Sequence, residues 1–297
     1  MTYGVPGKLV LIASVVAGTL LSAGAASSTY LPRNEMVVRH PTSNNTYFLQ
    51  RDRYFLQLLQ LALDKSGTSY RLSPVQLPPM SENRSEKYLQ AKRYDVHWMM
   101  TNMRHENSLI PVRIPLYKGL IGWRLLLVHR EDETDFAIIT TLAQLKRKLA
   151  VHGLDWPDTG ILVANGFRLR TSLDWMSLFR LLDTHDVDFF PRSVAEIWLE
   201  IDSSPSSNIV VESTLAVHYY AAYYFFVSKE NAELAEQIEK GLNAAIADGS
   251  FDRLFNANFA NAIARANLPQ RRVLTVNNPL LPAKTPVQRK ELWFQPR

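Results

Sequence analysis

The apolar positions of this chain alternate between strand-like and helix-like spacing. Met36-Val37-Val38-Arg39 is β-branched and bounded by Pro41, which predicts a strand, and residues 41–45 read as a turn-rich loop. Tyr54, Leu58, Leu59, Leu61 and Ala62 then recur at helical spacing until Gly67 stops the pattern. Extended structure resumes at 70–72. Residues 73–83 hold three prolines and read as loop, 85–91 as a short helix and 94–98 as a strand. Strand–helix alternation of this kind predicts a parallel sheet covered by helices, with ligands at the carboxyl ends of the strands.

A second strand–helix series runs from about 124 to 212. Its strands are expected at 124–128, 149–153, 167–170, 187–191 and 208–211, and its helices at 142–145, 173–182 and 194–201. Ser172 is the expected N-cap of the second of these helices. The aromatic run at 219–227 reads as one strand buried on both faces. Two more helices are expected at 231–246 and 251–266, parted by Asp248-Gly249-Ser250. The proline-rich tail, 269–297, is expected to pack across the surface with Trp293 and Phe294 as anchors.

The 297 residues suffice for about two domains. With 46% hydrophobic and 21% charged residues a large core needs neither metal nor disulfide. The net charge of +5 is spread without a run of five basic residues, which argues against a nucleic-acid face. The absence of cysteine excludes disulfides, thiolate metal sites, a cysteine nucleophile and a lipoprotein anchor.

The N-terminus points to export. Lys8 precedes an uncharged apolar run, 9–21, and small residues occupy 22–26. This is the pattern of a cleaved secretory signal peptide, expected to span 1–25. The run of 13 residues is short for a spanning helix, which takes about 20; an uncleaved anchor is the alternative. Cleavage after Ala25 removes Lys8 and leaves +5 − 1 = +4.

Motifs for catalysis are sparse. The chain has no Gly-x-Ser-x-Gly, His-Glu-x-x-His, phosphate loop or dinucleotide glycine fingerprint. No cofactor is expected, and none of the seven histidines shows metal-ligand spacing. His105-Glu106 and the group Asp183, His185 and Asp186 read as solvated clusters. Asp155 and Asp158 read as caps of a helical turn opened by Pro157, although its N-terminus could also favour an anion.

Several segments carry a resemblance. Thr101-Asn102-Met103-Arg104, then Ile114-Pro115-Leu116-Tyr117-Lys118-Gly119, then the strand at 124–128 resemble the middle of type II periplasmic solute-binding proteins, the family 3 group of extracellular solute-binding proteins. Thr141-Leu142-Ala143-Gln144-Leu145 with Leu149-Ala150-Val151 resembles the opening of their second lobe. Val187-Asp188-Phe189-Phe190-Pro191-Arg192, Tyr224-Phe225-Phe226-Val227 and the helices to residue 255 resemble the later segments of that family. The chain departs from the pattern at Trp98-Met99-Met100, where a serine-rich ligand loop is usual, and at Arg192 and Ser193, where an acidic residue often stands.

The resemblance implies a two-lobed α/β fold, each lobe a mainly parallel sheet flanked by helices. The lobes are expected at 27–122 plus 222–297 and at 123–221, crossing near 120–124 and 215–223. It implies capture of a small polar solute, anionic or amino-acid-like, by a monomer serving an inner-membrane ABC transporter or a sensor domain in the periplasm. Arg104 would take a ligand carboxylate as a bidentate guanidinium. Thr101 would add a hydroxyl, Tyr47 a stacking ring and Trp98 an apolar wall, while Arg192 with Ser193 would face them from the other lobe. His40, near Tyr47, reads as structural. Two other functions stay open: an enzyme on this scaffold, a dehydratase or lytic glycosidase using Glu196 or Asp188, and an exported adaptor without a ligand.

Overall fold

The computed structural model describes Met1 and residues 35–78, 80–203 and 206–296. Apart from Met1, the segment read as a signal peptide lies outside the described residues. The first stretch of the fold comprises β1 (Met36–Thr42), α1 (Thr46–Ser66), β2 (Tyr70–Gln76), α2 (Glu82–Gln90), β3 (Val96–Met100), α3 (Met103–Ser108) and β4 (Ile110–Val112). The second comprises β5 (Trp123–His129), α4 (Glu133–Ala137), α5 (Leu142–Leu145), β6 (Leu149–Gly153), α6 (Pro157–Ala164), β7 (Arg168–Ser172), α7 (Trp175–Asp183), β8 (Phe189–Ser193), α8 (Ile197–Asp202), β9 (Ile209–Val211) and β10 (Leu215–His218). Then come β11 (Tyr223–Val227), α9 (Ala232–Ala247), α10 (Ser250–Ala266) and β12 (Arg272–Thr275). No helix among the described residues is long and apolar enough to cross a membrane.

These strands form three sheets. β1 pairs parallel with β2, Met36 opposite Tyr70. β11 lies between β3 and β4, antiparallel to both. The Asp95 amide donates to the Arg39 carbonyl at 2.9 Å, joining β1 to the turn before β3. The largest sheet runs β12-β10-β5-β8-β6-β7, with β9 also on β5. Within it the strand–helix–strand units are parallel, β6 to β7 and β6 to β8. β5 enters from the first crossing and runs antiparallel to β8, β9 and β10.

The crossings explain where the aromatic run at 219–227 divides. Only Tyr223–Val227 is strand; residues 219–222, inside the return crossing expected near 215–223, are not, and they press on the segment before β5. A Cβ on Gly122 would stand 1.9 Å from the Tyr219 carbonyl oxygen, so the two crossings touch backbone to backbone. The tail spans both regions. β12 pairs with β10, while Trp293 lies over Gly119 and the Phe294 amide donates to the Lys118 carbonyl at 2.6 Å. At α7 the N-cap differs from expectation: the Asp174 carboxylate accepts from the Ser177 amide at 2.9 Å, because Ser172 is held as the last residue of β7.

Helix α1 packs its Tyr54, Phe55, Leu58, Leu59, Ala62 and Leu63 face inward, against α9 among others. Gly241 makes this approach possible, since a Cβ there would lie 1.7 Å from the Ala62 carbonyl oxygen. Gly241→Ala is therefore expected to force the helices apart and destabilise the fold by about 1–3 kcal/mol, the range for overpacking. Urea unfolding measures it; an unchanged midpoint would mean that α9 has room to shift.

Candidate functional site

The start of α1, the start of α2 and β3 bring one set of side chains to face another set from β5, the loop at 154–158, β8 and α8. Asn45 caps α1 by accepting from the Tyr47 and Phe48 amides, which fixes the first turn and aims Tyr47 across the gap. The Tyr47 hydroxyl donates to Glu200 of α8 at 2.9 Å, and its ring lies 5.0 Å from that of Trp175. One turn later Arg51 pairs with Asp52 at 2.8 Å, and Asp52 also accepts from the Trp98 indole N–H at 3.0 Å. Trp98 is buried and stacks on Phe55.

On the facing side two buried arginines lie among carboxylates. Arg192 donates Nε to Glu200 at 2.6 Å and reaches Glu196 at 3.3 Å, with its guanidinium 4.5 Å from the centre of the Trp156 ring. Burial works against its charge, yet Glu200 and Glu196 outweigh it and hold the guanidinium protonated well past its usual range. Arg124 pairs with Asp158, which also accepts from the Tyr219 hydroxyl at 2.6 Å. Burial alone would raise the Asp158 carboxyl; Arg124 and His152 bring it below its ordinary value. Asp158 is thus an ion-pair partner and leaves α6 without a side-chain cap, contrary to the capping expectation. The Arg124 Nε has no hydrogen-bond partner, although it is buried.

Glu82 and Asp155 differ from all of these. Each keeps one buried carboxylate oxygen with no hydrogen-bond partner, and neither has an ion pair among the described residues. Burial, with the charges of Asp155 and Asp158, pushes the Glu82 carboxyl up to about 8. Both residues line a cavity of ≈ 340 Å³, together with Thr101, Arg104, Trp156 and Leu280. Beside this region His97 and His152 are buried neutral, driven down to about 3 first by burial.

The residues expected from sequence are distributed unevenly. Tyr47 and Arg192 meet on Glu200, while Trp98 is held separately by Asp52. Thr101 lines the cavity but donates its hydroxyl to Glu106 at 2.8 Å. Arg104 stands at the cavity rim, its side chain 53% exposed and its Nε 2.9 Å from Glu86. Ser193 is buried against the first crossing, donating to the Leu120 carbonyl at 3.2 Å. His40 is buried with Nδ1 3.2 Å from the Pro41 carbonyl. His105 and Glu106 are buried rather than solvated: His105 lies against the Met100 carbonyl, and Glu106 takes Arg113 and Thr101. Asp188 accepts from the Leu149 amide at 2.5 Å, which ties β8 to β6. Sequence reasoning does not single out Glu82, Asp155 or Arg124 as binding residues; the only local signal is acidic residues beside prolines.

Solved structures share the fold that brings these side chains together. An ancestral arginine-binding protein bound to arginine superposes with a TM-score of 0.55 at 17% identity, covering 76% of this chain and 99% of that one. A Salmonella typhimurium periplasmic binding protein of high arginine specificity gives 0.55 at 15% identity, covering 75% and 99%. A histidine kinase sensor domain similar to periplasmic binding proteins gives 0.53 at 16%, covering 76% and 96%. The fold is that of a type II periplasmic binding protein. No protein-family model and no curated protein matches the sequence.

The raised Glu82 carboxyl sets a pH dependence. The folded state keeps this proton while the unfolded chain releases it near the ordinary value of 4.5. Folded protein therefore binds more protons between about 4.5 and 8, and the stability this group contributes falls as pH rises through that window. Melting curves across this window should show a smaller decline for Glu82→Gln than for the parent chain; parallel declines would exclude Glu82 as the cause.

Proposed function

We propose that this chain is an exported solute-binding protein that closes its two lobes on a small cationic, amino-acid-like solute, serving a membrane transporter or a sensor. The reading rests on the two buried carboxylate oxygens of Glu82 and Asp155, which have no hydrogen-bond or ion-pair partner among the described residues. Uncompensated buried charge is costly, and an ammonium or guanidinium in the cavity removes the cost. The arginines offer less to an anion, because Arg104 is held by Glu86 and Arg192 by Glu200 and Glu196. The Arg124 Nε, buried outside the cavity lining and without a hydrogen-bond partner among the described residues, would meet a carboxylate on the same solute only on closure. Arginine, named for two of the similar structures, has the charges that this arrangement would take.

Residues 27–122 with 222–297 are taken as one lobe and 123–221 as the other, β12 crossing over to pair with the second lobe's sheet. Closure would swing the lobes about the touching crossings at Gly122 and Tyr219, an ordinary hinge motion. The leader at 1–25 would direct a monomer to the periplasm, and the bound solute would leave chemically unchanged. A carboxyl kept protonated in a cleft is also what a general acid requires, so an enzyme on this scaffold, using Glu82 or Glu196, is the second reading.

Ligand-dependent melting and calorimetry with arginine, lysine, putrescine, glutamine and glutamate test the proposal. Cationic solutes should raise the melting temperature as ligand binding to the folded state does, and Glu82→Gln and Asp155→Asn should each weaken binding at least about tenfold. Stabilisation by glutamate and not by arginine would overturn it. Mass spectrometry of the recovered solute separates the two readings: a converted product means an enzyme.

A further inference from the structure

We propose that His129, Asp132 and His185 form a binding site for one divalent transition-metal ion of the zinc class, at the end of β5 remote from the solute cavity. β5 carries Arg124 near its start and His129 as its last residue. At a strand rise of about 3.4 Å per residue, the two lie roughly 17 Å apart. His129 is buried, and its side chain caps a single 3₁₀ turn, Arg130–Asp132, by accepting from the Glu131 amide at 3.3 Å. That turn presents Asp132. His185 arrives from the far end of α7, just past the Thr184 C-cap.

One ligand atom from each of His129, Asp132 and His185 lies within 4.8 Å of the others. His185 Nδ1 stands 3.2 Å from Asp132 Oδ2. Ligand atoms about 2.0–2.1 Å from a tetrahedral ion are themselves about 3.3 Å apart, so this pair is already at coordination spacing. The remaining separations close with small rotations of Asp132 and His185, both of which retain exposed surface. Glu131 Oε2 lies 3.7 Å from His185 Nε2, the ring nitrogen that faces away from Asp132, so water would fill the remaining position. Two imidazoles with one carboxylate suit zinc, nickel or copper; calcium and magnesium want an all-oxygen shell.

The backbone supports the arrangement. His185 has φ 55°, the left-handed conformation that closes the C-terminus of α7, where its amide donates to the Leu182 carbonyl at 3.2 Å and the Asp186 amide to the Leu181 carbonyl at 3.0 Å, and its ring centre lies 3.8 Å from that of His129. Spacing in sequence could not show the site, because Asp132 and His185 stand far apart along the chain and the two segments meet only when β5 and α7 pack together.

Calorimetric titration of the chelator-stripped, untagged full chain with zinc chloride tests the site independently of any solute. The parent chain should take up one zinc ion. His185→Asn keeps a residue that tolerates the left-handed conformation. It and Asp132→Asn should each lower zinc affinity at least about tenfold while the metal-free melting temperature stays put. Cobalt should give the visible absorption of a four- or five-coordinate site in the parent and lose it in both variants. Were His185→Asn not to fold, Asp132→Asn and the cobalt spectrum of the parent carry the test. No zinc uptake at 100 μM, variants that bind like the parent, or a six-coordinate cobalt spectrum would each leave only an ordinary histidine–aspartate ion pair.

Discussion

A charge removed from water is stable only beside its opposite, and the buried arginines of this protein follow that constraint. Arg192 is held by Glu200 and Glu196, Arg124 by Asp158, and Arg51 by Asp52. Tyr47 donates across the gap to Glu200, so α1 of one half is tied to α8 of the other through a carboxylate already neutralised by Arg192. Truncating Arg192 alone would leave Glu200 buried and unpaired, which is why the network behaves as a unit. Apolar packing fills each half, and the Tyr47–Glu200 hydrogen bond reaches from one to the other.

Within that network the two unmatched carboxylates carry the functional argument. Glu82 opens α2, and Asp155 lies in the turn before α6. Burial and mutual repulsion keep Glu82 protonated near neutrality when nothing positive is present. A cationic solute would reverse both effects together, so occupancy and ionisation are coupled at the same atoms.

The alternation of strand and helix was legible because each element has a clean apolar period; the helix at 54–62 and the strand at 124–128 are examples. The aromatic run at 219–227 misled because hydrophobicity alone cannot distinguish a buried strand from a buried crossing. What divided it was the contact of Gly122 with Tyr219, nearly a hundred residues apart. Tyr47 and Trp98 could be picked out as aromatics flanking strand ends. Glu82, Asp155 and Arg124 could not, since an isolated charged residue looks the same in sequence whether its partner is water, another side chain or nothing. Arg104 shows the same limit: Glu86, which holds it, lies on a different helix.

The packing of α1 against α9 has a bearing on how the chain is made. The face of α1 is complete by residue 66, yet the helix that covers it begins at residue 232. Until that late segment emerges, an apolar surface stays uncovered, and contacts so distant in sequence form slowly.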